Sequence, residues 1–256
     1  MRLTTCLAAV AMSVALVITA RAAAADPPEA PKLSSFAPAA DLVRQTDYYL
    51  GRLDESLASQ SQYKEDKEKV TKDGNTLVLI ALALGLDDGD NKYKEAAPGV
   101  EQDARRLAKA TTYAAAKAAL ADTHRDLSAS IQATVLGWDK ASASLPELMK
   151  QVPLINARLK RNLKKFAQKA KESAGDTATL AVIAQGSMAD VSQTKKPTEA
   201  AKWFALCAEM RDAAAAANKA IHAGDAKATD KAMKSLAESC DNCHAVFNPE
   251  QASKSE

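Results

Sequence analysis

Apolar residues recur at steps of three and four along most of this chain, the period of one face of an α-helix. The clearest run is Leu145, Leu148, Val152, Ile155, Leu159, Leu163 and Phe166. It predicts a helix over about 146–171, with Pro146 well placed at its start. Asp176, following Gly175, reads as the N-cap of the next helix. A third helix is expected from about Thr198 to Ala223, stopping at Gly224. A fourth runs from Asp225 to about Phe247 and is ended by Asn248-Pro249. The front of the chain yields similar stretches at about 41–70, 75–86, 92–109 and 111–134. No segment shows the strict alternation of a strand, so the expected fold class is all-α.

The same pattern reads as two copies of one unit. "DLVRQTDYYLGRLDESL" from Asp41 matches "ELMKQVPLINARLKRNL" from Glu147, and "TLVLIALALG" from Thr76 matches "TLAVIAQGSM" from Thr179. "ALADTHRDLSA" from Ala119 matches "SLAESCDNCHA" from Ser235, and the three matches keep their order at offsets of 106, 103 and 116 residues. Four amphipathic helices with short loops make an antiparallel bundle. The expected architecture is therefore two tandem antiparallel four-helix bundle units, over 41–135 and 145–249, preceded by a proline-rich flexible leader at 26–40.

Composition agrees. The 256 residues are 47% hydrophobic and only 4% aromatic, and alanine, the strongest helix former, is abundant. Residues 1–25 read as a secretory signal: Arg2 supplies the charged start, Cys6 to Ala20 the apolar stretch, and Ala23-Ala24-Ala25 the cleavage site. The apolar stretch is short for a membrane span, and no other segment could serve as one. Without Arg2 and Arg21, 32 basic residues balance 32 acidic ones. A near-zero net charge argues against nucleic acid as a general partner.

The chemistry gathers at the C-terminus, in Cys240-Asp241-Asn242-Cys243-His244. On the fourth helix, Met233, Leu236, Ala237, Cys240, Cys243, His244 and Phe247 share one face, which would point into the bundle. Cys-x-x-Cys-His is the attachment signature of c-type haem: two thiols add to the porphyrin vinyl groups and the adjacent imidazole reaches the iron as proximal ligand. The rival readings are weaker. Structural zinc wants four ligands, which His222 and Cys207 could complete only through the fold. A thioredoxin-like pair wants a βαβ context. A plain Cys240–Cys243 disulfide suits an oxidising compartment.

From about Leu145 to Pro249 the chain resembles the class II cytochromes c, the cytochrome c-prime type, which carry this motif on the last helix of a four-helix bundle. The resemblance implies one covalent haem c, with Cys240 and Cys243 as thioethers and His244 as proximal ligand. The signal segment implies export to the periplasm; redox partner proteins are expected, and a homodimer is left open. In one subtype of the family a methionine of the first helix is the distal iron ligand; in the other an apolar residue lines an open, gas-binding site.

Met149 lies on the first helix of the second unit. In the first unit, Met149 aligns with Val43, and Cys240, Cys243 and His244 align with His124, Leu127 and Ser128. The first unit thus lacks all four together, as a degenerate, haem-free unit would. Pro153 cannot donate to the Met149 carbonyl and should kink the helix. If the kink turns Met149 away, Leu148 or Val152 would line an open site. His124 is expected on the surface, His222 against the last carbonyls of its helix, and Cys207 in the core. Trp203 and Phe204 are expected at the haem edge or in the core, and "QYKEDKEKVTKDGN" as a solvated helix end.

The expected function is one-electron transfer by an exported monohaem cytochrome. The alternatives are a five-coordinate gas (NO/CO) binding protein and a haem-free helical interaction protein held by a Cys240–Cys243 disulfide. Nothing supplies a catalytic acid, base or nucleophile, so the chain is not read as an enzyme.

Overall fold

A computed structural model of the chain describes residues 26–128, 135–140, 142–194 and 196–252. The expected signal segment 1–25, with Cys6, lies outside the described residues, as does the end of the helix expected over 111–134. Within the described residues the protein is all-helical. Its main helices are α1 (Ala39–Ser56), α2 (Gln60–Gly85), α3 (Ala97–Ala108), α4 (Tyr113–Asp126), α5 (Leu145–Leu163), α6 (Ala170–Ser187), α7 (Ala200–His222) and α8 (Ala226–Phe247). None is long and apolar enough to cross a membrane.

Local chemistry sets most of these ends. The side chains of Ser59, Thr112 and Asp225 cap α2, α4 and α8 by accepting from the amides of Gln62, Ala115 and Ala228. Gly224, at φ +69°, supplies the left-handed residue that separates α7 from α8. Helix α5 runs unbroken through Pro153.

Three expectations about helix ends fail. The helix expected to run to Lys171 ends at Leu163, and a turn precedes α6. The charged stretch before Thr76 is not the end of the first helix. The cap at Ser59 breaks the chain earlier, and those residues form the first half of α2. Asp176 is not an N-cap. Helix α6 begins at Ala170, and Asp176 is a buried residue inside it.

Sequential helices pack on one another within each half of the chain. The halves meet through α1 on α6, α2 on α5 and α2 on α6. One core spans this seam, with Leu42, Tyr49 and Ile80 from the first half and Leu148, Ile155 and Ile183 from the second. The proline-rich stretch is not a flexible leader throughout. Leu33, Phe36 and Ala37 are buried in the same core, and Ser34 holds Asp88 through its amide (3.0 Å) and hydroxyl (2.8 Å).

Each half holds a buried ion pair at the seam, and a glutamine of the other half crosses to it. Arg52 of α1 is bonded to Asp73 of α2 at 2.8 Å, and Arg158 of α5 to Asp176 of α6 at 2.9 Å. Gln151 of α5 donates to Asp73 at 3.0 Å, and Gln45 of α1 hydrogen-bonds Asp176. These are the positions related by the 106- and 103-residue offsets. Gly175 makes room for the second crossing, because a Cβ there would stand 2.3 Å from the Gln45 amide nitrogen. Tyr48 breaks the symmetry: its ring lies 4.3 Å from the Arg158 guanidinium and 5.6 Å from that of Arg52. Its counterpart by position, Leu154, is 49% exposed. Burial pushes the Asp73 and Asp176 carboxyls above the usual range, against the pull of the arginines and the glutamine amides.

Candidate functional site

Helix α8 is amphipathic. Leu236 and Phe247 are buried, Met233 packs on the core, and Cys240, Cys243 and His244 are half-buried between them. Ala237, expected on the same inner face, is exposed instead. It stands at the edge of the stripe, 100° on from Leu236, where the helix surface already turns to solvent.

The half-buried groups face a cavity of about 400 Å³ that opens between α5 and α8. Its α5 wall presents Met149, Val152, Pro153, Asn156 and Lys160, the steps of one helical face. Ala184 and Ser187 of α6 lie at its floor. Trp203, Cys207 and Met210 come from α7, and Cys240, Cys243 and His244 from α8. The four sequence-predicted site residues therefore reach one chamber. Leu148 does not reach it. It is 2% exposed and belongs to the shared core, so of the two residues expected to line an open site only Val152 does.

The end of the cavity is closed by aromatic packing. The Trp203 and Phe247 rings meet edge to face at 5.3 Å, and the Trp203 indole N–H donates to the Ser187 carbonyl at 3.0 Å. Met149 and Cys243 pack against this cluster, which also holds Cys207. Phe204 lies in the same cluster but does not line the cavity.

Cys207, Cys240 and Cys243 are free thiols. Burial raises all three above the ordinary cysteine range, Cys243 to about 11. They are protonated and poorly nucleophilic at neutral pH. Residues three apart on an intact helix hold their Cβ atoms about 5–6 Å apart, whereas a disulfide needs about 3.5–4.5 Å. A Cys240–Cys243 bridge would thus distort α8. Among the described residues, no three His, Cys, Asp or Glu side chains converge to hold a metal ion by themselves.

The donor set does suit a c-type haem. Two thiols and an imidazole share one wall, a thioether stands on another, and the Asn156 side-chain oxygen is buried with no hydrogen-bond partner in the protein.

Sequence reading missed Asn156, Lys160 and Met210. The spacing Trp203, Cys207, Met210 on α7 could have revealed the last. Met188, by contrast, is buried, with its sulfur beside the Gln185 amide at 3.7 Å. His222 does not lie against its helix carbonyls; it bonds the buried Asp41 carboxylate at 2.7 Å. His124 is exposed, as expected, and meets Asp54 at 3.0 Å.

Among the described residues of the first half, other side chains stand at the corresponding positions. His124 and Asp54, the counterparts of Cys240 and Lys160, close the gap between α4 and α1. Leu127, the counterpart of Cys243, packs on Ala81, Ala96 and Val100. Leu84, buried in the core, takes the place of the cavity-lining Ser187. Compared with protein-family models, with curated proteins and with solved structures, the chain matches none.

Proposed function

We propose that the chain is an exported monohaem c-type cytochrome that transfers single electrons. The observation that carries this reading is the convergence of Cys240, Cys243, His244 and Met149 on one cavity. Cys240 and Cys243 would hold the haem as thioethers, His244 would be the proximal ligand, and Met149 the distal one. When bound, the haem supplies an iron centre that cycles between ferric and ferrous states.

The chain's own residues do the rest. The i, i+3, i+4 spacing places both sulfurs and the imidazole on one helical wall, so they meet one edge and one face of a flat group. Trp203, Phe247, Val152 and Leu206 make the chamber apolar and restrict water. A thioether opposite an imidazole raises the potential of a haem centre. The first half is read as a degenerate copy of the same four-helix unit, its cavity closed by Leu127, His124 and Asp54. Its role is structural: it supplies α1 and α2 to the shared core.

One observation favours a second reading, a five-coordinate gas-binding centre. Met149 packs against the Trp203 cluster, which would hold its sulfur in the wall and leave Val152 and the Asn156 amide facing a bound diatomic. Optical spectra of the exported protein, ferric and ferrous, with and without carbon monoxide, separate the readings. Sharp ferrous bands with no response to carbon monoxide mean His/Met ligation. A broad ferrous spectrum with a large carbon monoxide shift means the open site. No Soret band after expression with haem-attachment machinery sinks both.

A further inference from the structure

Residues 158–171 read Arg-Leu-Lys-Arg-Asn-Leu-Lys-Lys-Phe-Ala-Gln-Lys-Ala-Lys, seven cations and no acid in fourteen positions. Two of the seven are engaged: Arg158 with Asp176, and Lys169 with Glu172 at 2.6 Å. The other five, Lys160, Arg161, Lys164, Lys165 and Lys171, are exposed, and among the described residues none is within salt-bridge distance of a carboxylate, although Lys171 stands near enough to Glu172 to help hold its carboxyl below the usual range. The group begins at the rim of the candidate cavity, where Lys160 forms part of the wall, and continues around the turn into α6.

Two bland explanations fail on the chain's own internal comparison. Cations near a helix C-terminus gain from the macrodipole. The matching positions on α1, however, hold Asp54 and Glu55 in place of Lys160 and Arg161, and Ala58 and Ser59 in place of Lys164 and Lys165. The fold therefore does not require cations here. Nor does solubility: outside this stretch and the first 25 residues, 25 basic residues stand against 32 acidic ones, so the remainder already carries a net charge. In the same half, Glu209, Asp212 and Glu238 line a groove between α7 and α8. Like charges held together without partners repel, and they are relieved by a surface of opposite sign.

We propose that Lys160, Arg161, Lys164, Lys165 and Lys171 form a docking surface for a protein that presents a cluster of carboxylates. On the haem reading, that protein is the electron donor or acceptor, steered to the cavity rim. Five cations along this stretch raise the encounter rate at low salt and lose their effect beyond a Debye length of about 8 Å at physiological ionic strength.

The test uses the full exported chain and a polyglutamate peptide as probe, with affinity measured by titration from low to high salt. We expect binding that weakens steeply with salt. The variant Arg161→Gln, Lys164→Gln, Lys165→Gln, Lys171→Gln, which spares Lys160, should bind about tenfold more weakly at low salt. A variant of equal net charge, Lys64→Gln, Lys67→Gln, Lys117→Gln, Lys227→Gln, should bind as the parent does. Equal weakening in both variants would show net charge acting, not a surface, and would overturn the proposal. So would binding to vesicles containing anionic lipid without binding to polyglutamate, or a salt-sensitive dimer of the chain lost on Glu209→Gln/Glu238→Gln. The Soret band, read on the same samples, reports the haem reading separately: polyglutamate binding without haem leaves the docking surface standing and removes only the electron-transfer role.

Discussion

Gln151 of α5 donates to the buried Asp73 of α2 at 3.0 Å, and its positional counterpart Gln45 reaches Asp176 in the same way. Each half of the chain thus completes the buried ion pair of the other. Neither pair is a large net stabiliser, because burial offsets much of the attraction. Breaking one is costly, because the remaining carboxylate is stranded. Arg158→Met should lower stability by about 3–5 kcal/mol, and adding Asp176→Leu should restore most of it. Urea unfolding of the three proteins checks this; a single variant within ~1 kcal/mol of the parent would show the pair to be hydrated.

Tyr49 lies under this network. Its hydroxyl accepts from the Gln151 amide at 3.2 Å, and burial pushes its pKa up to about 12 from an ordinary value of 10. The folded state therefore holds the phenolic proton more tightly than the unfolded chain. The associated stability is complete below pH 10 and is lost as pH rises toward 12, on the order of 2–3 kcal/mol. Tyr49→Phe should flatten the fall between pH 10 and 12. Urea midpoints at pH 9 and pH 11 decide the matter, and parallel losses in both proteins would assign the fall to other groups.

Removing both anchoring sulfurs should separate retention of haem from folding. Cys240→Ala/Cys243→Ala should carry no haem through a denaturing gel, while its far-ultraviolet circular dichroism stays that of the parent, since alanine suits both helix positions. Iron and haem assays on the parent should give one per chain. Two per chain would mean that the first half is not closed.

Met149→Ala tests the distal ligand. With the thioether on the iron, its loss should open the centre to carbon monoxide and lower the reduction potential. Met210 also borders the cavity, so Met210→Ala is the matched control and should leave the spectrum unchanged. The reverse result would move the ligand from α5 to α7.

Most of the helices, the caps at Asp225 and Gly224 and the motif-bearing face of α8 were legible in the sequence. Each depends on residues within a few positions of one another, and helical periodicity reports such neighbours directly. The break at Ser59 was harder to see, because charged residues suit the inside of a helix as well as its end. The repeat rests on three ordered matches in the sequence.

What only the tertiary structure decided is how the two halves meet and what each cavity contains. Asp176 reads locally as a cap and is an ion-pair partner across helices. His222 reads as a helix-end residue and belongs with Asp41, far away in sequence. Met149 became a wall of the α8 cavity only when α5 and α8 came together, and Leu127 packed on the Ala81, Ala96 and Val100 cluster only when α2, α3 and α4 did. Sequence determines which side chains share a face. Which faces oppose each other follows from packing between distant segments, and no local period encodes it.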